Sequence, residues 1–181
     1  MIQTVSGEIS PEELGVTSMH EHIPIDRDGA HRADAIDFAI NELRAARDLG
    51  LQTVVEVSPD RDVEGIKRVA DKANVQVIVC TGFYTYDDST RLYDEDRFYG
   101  HMMNEITNGI GGTNLRPGVI KIATHNSMLE EHEVQALRAA GRVQAETGLP
   151  LCVHSVTGCA AQQKVLDEAG ANLEKVYFSH V

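Results

Sequence analysis

Strand-like and helical segments alternate along this chain, and this alternation constrains its fold more than any other feature. Short apolar runs, several of them rich in valine and isoleucine, have the composition of buried parallel strands. They occupy six stretches: Val16–Ile23, Thr53–Ser58, Val75–Gly82, Gly118–Thr124, Leu149–Ser155 and Lys175–Val181. Five helical patterns lie between them: Ala33–Leu49, Val63–Ala73, Asp94–Gly109, Leu129–Thr147 and Thr157–Ala169. The repeated strand–helix–strand order predicts an α/β fold with a parallel sheet and right-handed crossovers.

Local signals support these boundaries. Gly50, Gly148 and Gly170 follow helical patterns, where a left-handed residue commonly ends a helix, and Asp60 is a candidate N-cap for the second helix. Before the first strand, Ile2–Val5 and Glu8–Ile9 flank a Ser-Gly turn and predict a short hairpin, read as a lid over the bottom of the sheet. The next residues, Ser-Pro-Glu-Glu from Ser10, have the pattern of an N-cap followed by a helical turn.

Two architectures fit this order of elements: an open doubly wound sheet and most of a (β/α)8 barrel of TIM-barrel type. A dinucleotide-binding sheet is expected to carry a glycine-rich phosphate loop after its first strand, and the chain has Pro-Ile-Asp-Arg-Asp from Pro24 instead. Polar side chains recur at the C-terminal ends of the strands, where barrel enzymes keep their chemistry, so the barrel is favoured. With 181 residues and 42% hydrophobic content, the chain is expected to form a single domain over residues 1–181.

The composition excludes several classes of partner. A formal net charge of −12 disfavours binding to nucleic acid or to anionic lipid, because both need clustered lysine and arginine. The sequence contains no apolar run long enough for a membrane span, and its N-terminus lacks the pattern of a signal peptide. Three cysteines without CxxC spacing, Cys80, Cys152 and Cys159, are expected to be reduced thiols, which favours the cytoplasm.

Two histidines, two positions apart, lie near the end of the first predicted strand. In an extended chain His20 and His22 point to one face and Glu21 to the other. Neutral imidazole is the commonest metal ligand, and two imidazoles on one rigid strand provide half of a site. The spacing is a weak signal by itself, because two histidines also meet at strand ends by chance.

Lys121 is a cation inside an otherwise apolar strand, Val119–Ala123. It either extends its ammonium group to the strand end or serves the chemistry of a site. His154 ends the fifth predicted strand, and His180 ends the sixth. Each of them is either a metal ligand or a hydrogen-bonded core histidine. Barrel closure would bring all these strand ends to one mouth, which favours a common metal site. A protonated lysine cannot ligate a hard cation, so Lys121 would need deprotonation or chemical conversion.

Several stretches together resemble the phosphotriesterase family of the amidohydrolase superfamily, and the resemblance covers essentially the whole chain. The matching stretches are Met19–His22, Asn104–Ile110, Gly118–Ala123, Val153–Ser155, Gln162–Leu166 with Glu168–Gly170, and Phe178–His180.

The resemblance implies a hydrolase with two divalent metal ions. Zinc is the expected metal, and cobalt, manganese and iron are the alternatives. His20 and His22 would bind the more buried metal, and His154 and His180 the more exposed one. Lys121 would be carboxylated by CO2 to a carbamate that bridges both metals. A hydroxide between the metals would attack a small-molecule phosphotriester, ester or lactone.

A segment with three aromatic residues, Gly82–Tyr86, is interpreted as a loop after the third strand that overhangs the pocket. Phosphotriesterase-like lactonases resemble this chain in having a tyrosine in the place of Tyr84, which would act in catalysis near the substrate oxygen. The alternative is that these aromatic side chains pack on a neighbouring helix. Cys152 and Cys159 lie close to the site in sequence, with ordinary burial as their expected role. The other histidines, His31, His101, His125 and His132, are expected on helix surfaces or in loops.

The family pattern ends with a metal-binding aspartate on an eighth strand, and these residues contain no seventh or eighth strand. The sequence therefore predicts a barrel truncated to about six strands. Two interpretations stay open: a fragment of a longer hydrolase, or a catalytically incomplete metal-binding or assembly module. In both, open strand edges favour a homo-oligomer or another association through the exposed edges of the barrel.

Overall fold

The computed structural model describes residues 1–24, 32–85, 88–125, 128–155 and 159–180. The chain divides into two compact units, Met1–Cys80 with Gly109–Gly118, and Thr81–Asn108 with Val119–Val181. The boundary falls within one strand, so the two units share it. Whether they act as the single predicted domain stays a prediction.

The first unit contains a hairpin and the first strand–helix repeats. Its elements are β1 (Ile2–Thr4), β2 (Gly7–Ile9), β3 (Thr17–Glu21), α1 (Arg32–Asp48), β4 (Thr53–Glu56), α2 (Val63–Ala73) and the first part of β5 (Gln76–Tyr84). Single 3-10 turns lie at Pro11–Glu13 and Ile110–Gly112. The core of this unit forms where α1 and α2 pack their apolar faces against the valines of β4 and β5.

The second unit continues the same alternation. It contains the end of β5, α3 (Glu95–Asn108), β6 (Val119–Ala123), α4 (Glu131–Thr147), β7 (Leu151–His154), α5 (Ala160–Glu168) and β8 (Val176–Ser179), with 3-10 turns at Asp88–Thr90 and Leu173–Lys175. Its core gathers around Phe98, Met102, Leu137 and Leu151, all fully buried.

The strands of the main sheet are parallel and hydrogen-bonded in the order of the chain. The order is β3-β4-β5 in the first unit, and in the second the end of β5 is followed by β6-β7-β8. The register aligns Lys121 with Cys152, and Ala123 with His154, so the polar ends of β6 and β7 lie level. The predicted α/β alternation is confirmed, with β3 to β8 as its six strands.

The N-terminal hairpin is also confirmed, as an antiparallel pair in which Ile2 lies opposite Ile9. The backbone N–H of Val5 donates to the carbonyl of Val77 at 2.9 Å, at the start of β5. Because the hairpin meets β5 at this N-terminal end, it lies at the bottom of the sheet within its unit, as predicted.

The predicted bounds of α2, Val63–Ala73, are confirmed, but its N-cap residue differs from the prediction. Asp62 caps α2, and its side chain accepts a hydrogen bond from the Gly65 N–H at 3.0 Å, so the choice of Asp60 was wrong. Asn74 ends the same helix in the left-handed conformation with φ +57°, a role that asparagine shares with glycine. Gly148 ends α4 with φ +70°, as its position predicted.

Two negative findings apply to the described residues. No helix among them has the length and apolar character needed to cross a membrane. Cys80, Cys152 and Cys159 form no disulfide.

Candidate metal centre

A pair of imidazoles lies on and just after β3, in the first unit. The Nε2 atoms of His20 and His22 lie 3.2 Å apart, with the ring planes inclined at 71°. Two nitrogens bound to one tetrahedral zinc, each about 2.0–2.1 Å from it, lie roughly 3.3–3.4 Å from each other. The pair therefore already has the separation that two ligands of one metal need.

The other ring nitrogen of His22 is engaged as well. Its Nδ1 lies 2.8 Å from Ser58 Oγ, in the residues that follow β4. A histidine that binds a metal through one nitrogen usually bonds a polar group through the other, which fixes the ring orientation. Ser58 supplies that group for His22.

Glu56, the last residue of β4, has a fully buried carboxyl group. Desolvation raises the pKa of this carboxyl group, against the opposing effects of hydrogen bonds from Ser58 and from the Ile23 N–H and of the nearby Arg61 guanidinium. Sequence reasoning missed Glu56, although it shows the same signal as Lys121: a charged residue inside an apolar strand.

Lys121, in the second unit, is fully buried together with its strand neighbours. Its Nζ donates a hydrogen bond to Cys152 Sγ at 3.5 Å. Among the described residues of its unit, no carboxylate forms an ion pair with this lysine. Because its side chain is fully buried, the interpretation that Lys121 extends its ammonium group toward water at the strand end is wrong.

Two further imidazoles lie in the same unit. The rings of His154, at the end of β7, and His180, just after β8, have centroids 4.4 Å apart. His180 has φ +66°, a backbone conformation that a non-glycine side chain adopts at a cost and that occurs often at functional sites. His154 is half-buried and His180 exposed.

Each unit thus contains part of the predicted ligand set: His20 and His22 in the first, and Lys121, His154 and His180 in the second. Within the described ranges, no group of three or more His, Cys, Asp or Glu side chains is gathered as a ready-made metal cluster. The assignment itself stays a prediction.

The predicted aromatic loop is the end of a strand. Gly82, Phe83 and Tyr84 belong to β5, and Tyr86 lies outside the described residues. Phe83 is buried, with its ring centroid 4.9 Å from that of Phe98 on α3, so its predicted place over the pocket was wrong and the packing alternative holds. Tyr84 points to the opposite face of β5 by strand alternation and is half-buried.

The remaining histidines divide into two groups. His101 lies on the surface of α3, and His125 is exposed after β6, both as predicted. His132 is mostly buried, and its Nε2 lies 2.7 Å from the carbonyl oxygen of Thr85, so its placement on a helix surface was wrong. His31 lies outside the described residues.

Acidic residues lie in the first turns of α3 and α4. Asp94 accepts a hydrogen bond from the Arg97 N–H at 2.9 Å. Glu133, missed in the sequence, is buried and accepts from the N–H groups of Glu130 and His125, at 2.8 and 2.6 Å. These bonds fix both ends of the segment that joins β6 to α4.

Comparison with known proteins now identifies the family. The model of the Phosphotriesterase family matches residues 1–181. The chain belongs to the phosphotriesterase family. It is 28% identical to the "Phosphotriesterase homology protein" of Mycobacterium tuberculosis over 99% of this chain and 63% of that protein. It is 25% identical to the human "N-acetyltaurine hydrolase" over 99% of this chain and 64% of that protein.

Solved structures of this family share the fold. A mutant of a phosphotriesterase-like lactonase from Deinococcus radiodurans superposes with a TM-score of 0.87 at 31% identity, over 98% of this chain and 62% of that one. The fold is therefore of the (β/α)8 TIM-barrel type, here with six strands, and the open doubly wound sheet is excluded. The chain spans just under two thirds of the length of these relatives.

Proposed function

We propose that this chain carries the metal-binding part of a two-metal hydrolase that acts on ester bonds in small molecules, with lactones as the first substrate class to test. The observation that carries the proposal is Lys121, buried in β6 next to a thiol instead of a carboxylate. An ammonium group in that position is costly, because burial penalises an unpaired charge, and no carboxylate in the described part of the chain pairs with Lys121.

Carboxylation of Lys121 would remove this cost. The lone pair of the neutral amine attacks the carbon of CO2, a new N–C bond forms, and the nitrogen loses a proton to solvent. The cation is replaced by an anionic carbamate with two oxygen donors, a group that is stable in a dry site when it binds cations. This modification is the form of Lys121 that we propose for the active protein.

The donor set fits two divalent ions. His20 and His22 would hold the more buried ion, and His154 and His180 would hold the more exposed one. The Lys121 carbamate would bind both ions. Imidazole and oxygen donors suit zinc, with cobalt, manganese and iron as alternatives. When bound, the metals supply a water nucleophile of lowered pKa and polarise the oxygen of the substrate.

Tyr84 is proposed to contact the substrate. It lies at the C-terminal end of β5, and in barrel enzymes the chemistry sits at this end of the strands. Its phenol can donate a hydrogen bond to a lactone or ester oxygen, a role that does not require it to bind metal.

The names of the relatives set the substrate panel. A structural neighbour is called a lactonase and another an organophosphorus hydrolase, whereas the human relative is named for an N-acyl amide. Lactones, aryl esters, a phosphotriester and N-acetyltaurine should therefore be compared in one assay. A preference for the amide would replace the ester proposal and leave the metal site intact.

Metal analysis of the purified protein, with and without added bicarbonate, tests the site directly. We expect divalent metal in the wild type, more of it with bicarbonate, and a large loss in the double variant His20→Ala and His154→Ala. His101→Ala, on the exposed face of α3, is the matched control. Equal metal content in the double variant and the control would remove these histidines from the site.

A second candidate is a metal-binding or assembly module without turnover of its own. Among the described strands, β3 pairs only with β4, and β8 only with β7, so each has an edge that another strand can join. We propose that the chain associates with further strands or with copies of itself through these edges. Light scattering measures this association. Ester hydrolysis that is slow in this chain and becomes faster when two further strands are supplied would favour a fragment of an enzyme. Metal binding without turnover, both with and without the further strands, would favour the module.

A cytoplasmic location remains part of the proposal.

A further inference from the structure

Gln162 is a buried amide on the inner face of α5. It is 3% exposed and shares this face with Leu166, one helical turn away, which packs in the core of the second unit. Gln162 lies in one of the stretches that resemble the family, and the proposed function gives it no role. Its hydrogen bonds indicate one.

Two hydrogen bonds connect Gln162 to the backbone of a proposed metal ligand. Its Nε2 donates to the hydroxyl group of Thr124, just after β6, at 2.6 Å. That hydroxyl group donates in turn to the carbonyl oxygen of His154, at the end of β7, at 3.4 Å. A hydroxyl group has one proton and can also accept, so the amide on one side leaves this proton for the carbonyl on the other. All three residues belong to the second unit.

The carbonyl of His154 lies where the pairing of β6 and β7 ends. Ala123 is opposite His154 in the register, and the backbone bond that follows, from the Thr124 N–H to the His154 carbonyl, is 3.3 Å long. At the other end of the same strand pair, the Ile120 N–H donates to the Pro150 carbonyl at 2.9 Å. The backbone bond is therefore longer at the end that carries the proposed ligand, and the Thr124 hydroxyl adds a second bond to the same carbonyl.

We propose that Gln162, acting through Thr124, fixes the backbone of His154 and with it the position from which the His154 imidazole reaches a metal ion. Gln162 and Thr124 are positioning residues in this scheme, since neither touches the metal. The inference rests on the proposed function in naming His154 as a ligand. The hydrogen bonds and their effect on the strand end are properties of the metal-free protein.

The choice of an amide at this position is explained by its bond to Thr124. The Oε1 atom of Gln162 is buried and has no hydrogen-bond partner in the described part of the chain. A buried amide with one end unpaired is less favourable than an apolar side chain of similar size. Packing alone would therefore favour an apolar residue, and the bond from Nε2 is what glutamine adds.

Carbonyl NMR of the metal-free protein tests the strand end directly. The chain has a single His-Ser step, His154-Ser155, so labelling with carbonyl-¹³C histidine and ¹⁵N serine gives one signal for the His154 carbonyl. The carbonyl ¹³C shift responds to hydrogen bonds at its oxygen. We expect it to move in the same direction in Gln162→Met, which removes the amide donor, and in Thr124→Val, which removes the hydroxyl group. Thr124→Ser keeps the hydroxyl group and should leave the signal in place.

Two variants on the same helix separate positioning from stability. Leu166→Val should lower the thermal stability of the protein, because it removes buried apolar volume, and leave the His154 carbonyl signal unchanged. Gln163→Met is the matched surface control, since Gln163 is exposed next to Gln162. A carbonyl signal that stays in place in Gln162→Met, or that moves equally in Leu166→Val, would overturn the proposal. If Gln162→Met does not fold, Thr124→Val and Thr124→Ser decide the result.

Zinc affinity gives a second measurement on the same proteins. Gln162→Met and Thr124→Val should each lose roughly tenfold in affinity, at the lower end of the usual effect of an outer partner, because they act on the ligand through its backbone. The double variant should be no weaker than either single variant, because both changes break the same connection. Thr124→Ser, Leu166→Val and Gln163→Met should bind zinc like the wild type.

The two measurements fail in different ways. Additive losses of affinity in the double variant, or an unchanged affinity in Gln162→Met, would overturn the positioning role and leave the proposed function intact. A wild type that binds no zinc, with a carbonyl signal that responds as expected, would overturn the proposed function. The role of Gln162 and Thr124 in fixing the backbone of His154 would then stand.

Discussion

Lys121 Nζ lies 3.5 Å from Cys152 Sγ, on neighbouring strands whose register aligns the two residues directly. Both side chains are fully buried. The thiol is a weak acceptor, so it gives the amine little stabilisation in a charged form. Strand β6 therefore holds the amine of Lys121 beside a thiol in the interior, and the proposed conversion to a carbamate would start from this amine.

The first prediction concerns this lysine. Lys121→Ala should lower the affinity for divalent metal by more than the roughly 10- to 100-fold that loss of an outer partner costs, because it removes a ligand shared by both ions. Occupancy of both metals should fall, as measured by elemental analysis after dialysis. A short carboxylic acid added to the variant should restore part of it.

Lys164→Ala is the control for that measurement, since Lys164 is exposed on α5 and lies 3.8 Å from Glu168. Metal content that stays the same in Lys121→Ala would mean that the buried lysine has a structural role.

The second prediction concerns Tyr84. In a protein that includes the further strands of the barrel, Tyr84→Phe should lower lactone turnover about tenfold, equivalent to about 1.4 kcal/mol of transition-state stabilisation. Metal content should be unchanged. Tyr99→Phe is the control, because the Tyr99 hydroxyl donates to Glu146 at 2.7 Å on the outer helices. Equal lactone turnover in wild type and Tyr84→Phe would show that Tyr84 only packs.

The third prediction separates Phe83 from its neighbour. Phe83 is 9% exposed and packs edge-on against Phe98 and Tyr93, with ring centroids 4.9 and 5.9 Å away. Phe83→Ala should lower the free energy of unfolding by about 3 kcal/mol, measured by urea denaturation. Phe38→Ala, at a position 57% exposed, should change it by less than about 1 kcal/mol. Similar effects for both variants would contradict the buried position of Phe83.

The fourth prediction concerns the close approach of β5 to β6. Gly82 has φ +130°, and a Cβ at this position would lie 1.8 Å from the carbonyl oxygen of Lys121. Gly82→Ala should therefore cost about 3 kcal/mol or more, from backbone strain and from the displacement of the strand that positions Lys121. Thermal unfolding and metal content should both decrease.

Gly100→Ala is the matched control, because no atom lies within 4 Å of the added Cβ on α3. It should raise the free energy of unfolding by about 0.5–1 kcal/mol, since alanine favours the helix. A stable Gly82→Ala variant with normal metal content would show that the two strands can separate without consequence.

The sequence alone determined the alternation of strands and helices, because apolar periodicity and helix-ending residues are local signals. It also marked Lys121 as unusual, since a charged residue within an apolar strand is visible without coordinates.

The tertiary structure decided which residues contact the candidate ligands and the buried carboxylate. Ser58 contacts His22 across 36 positions and Glu56 accepts from Ile23 across 33, and no local pattern carries such pairings. The same holds for Phe83 and Tyr84, adjacent residues in β5 that differ in burial because one face of the strand packs on α3. Spacing identified which residues have metal-binding chemistry, but only folding brings them to their partners, because burial and hydrogen bonding depend on segments far apart in the chain.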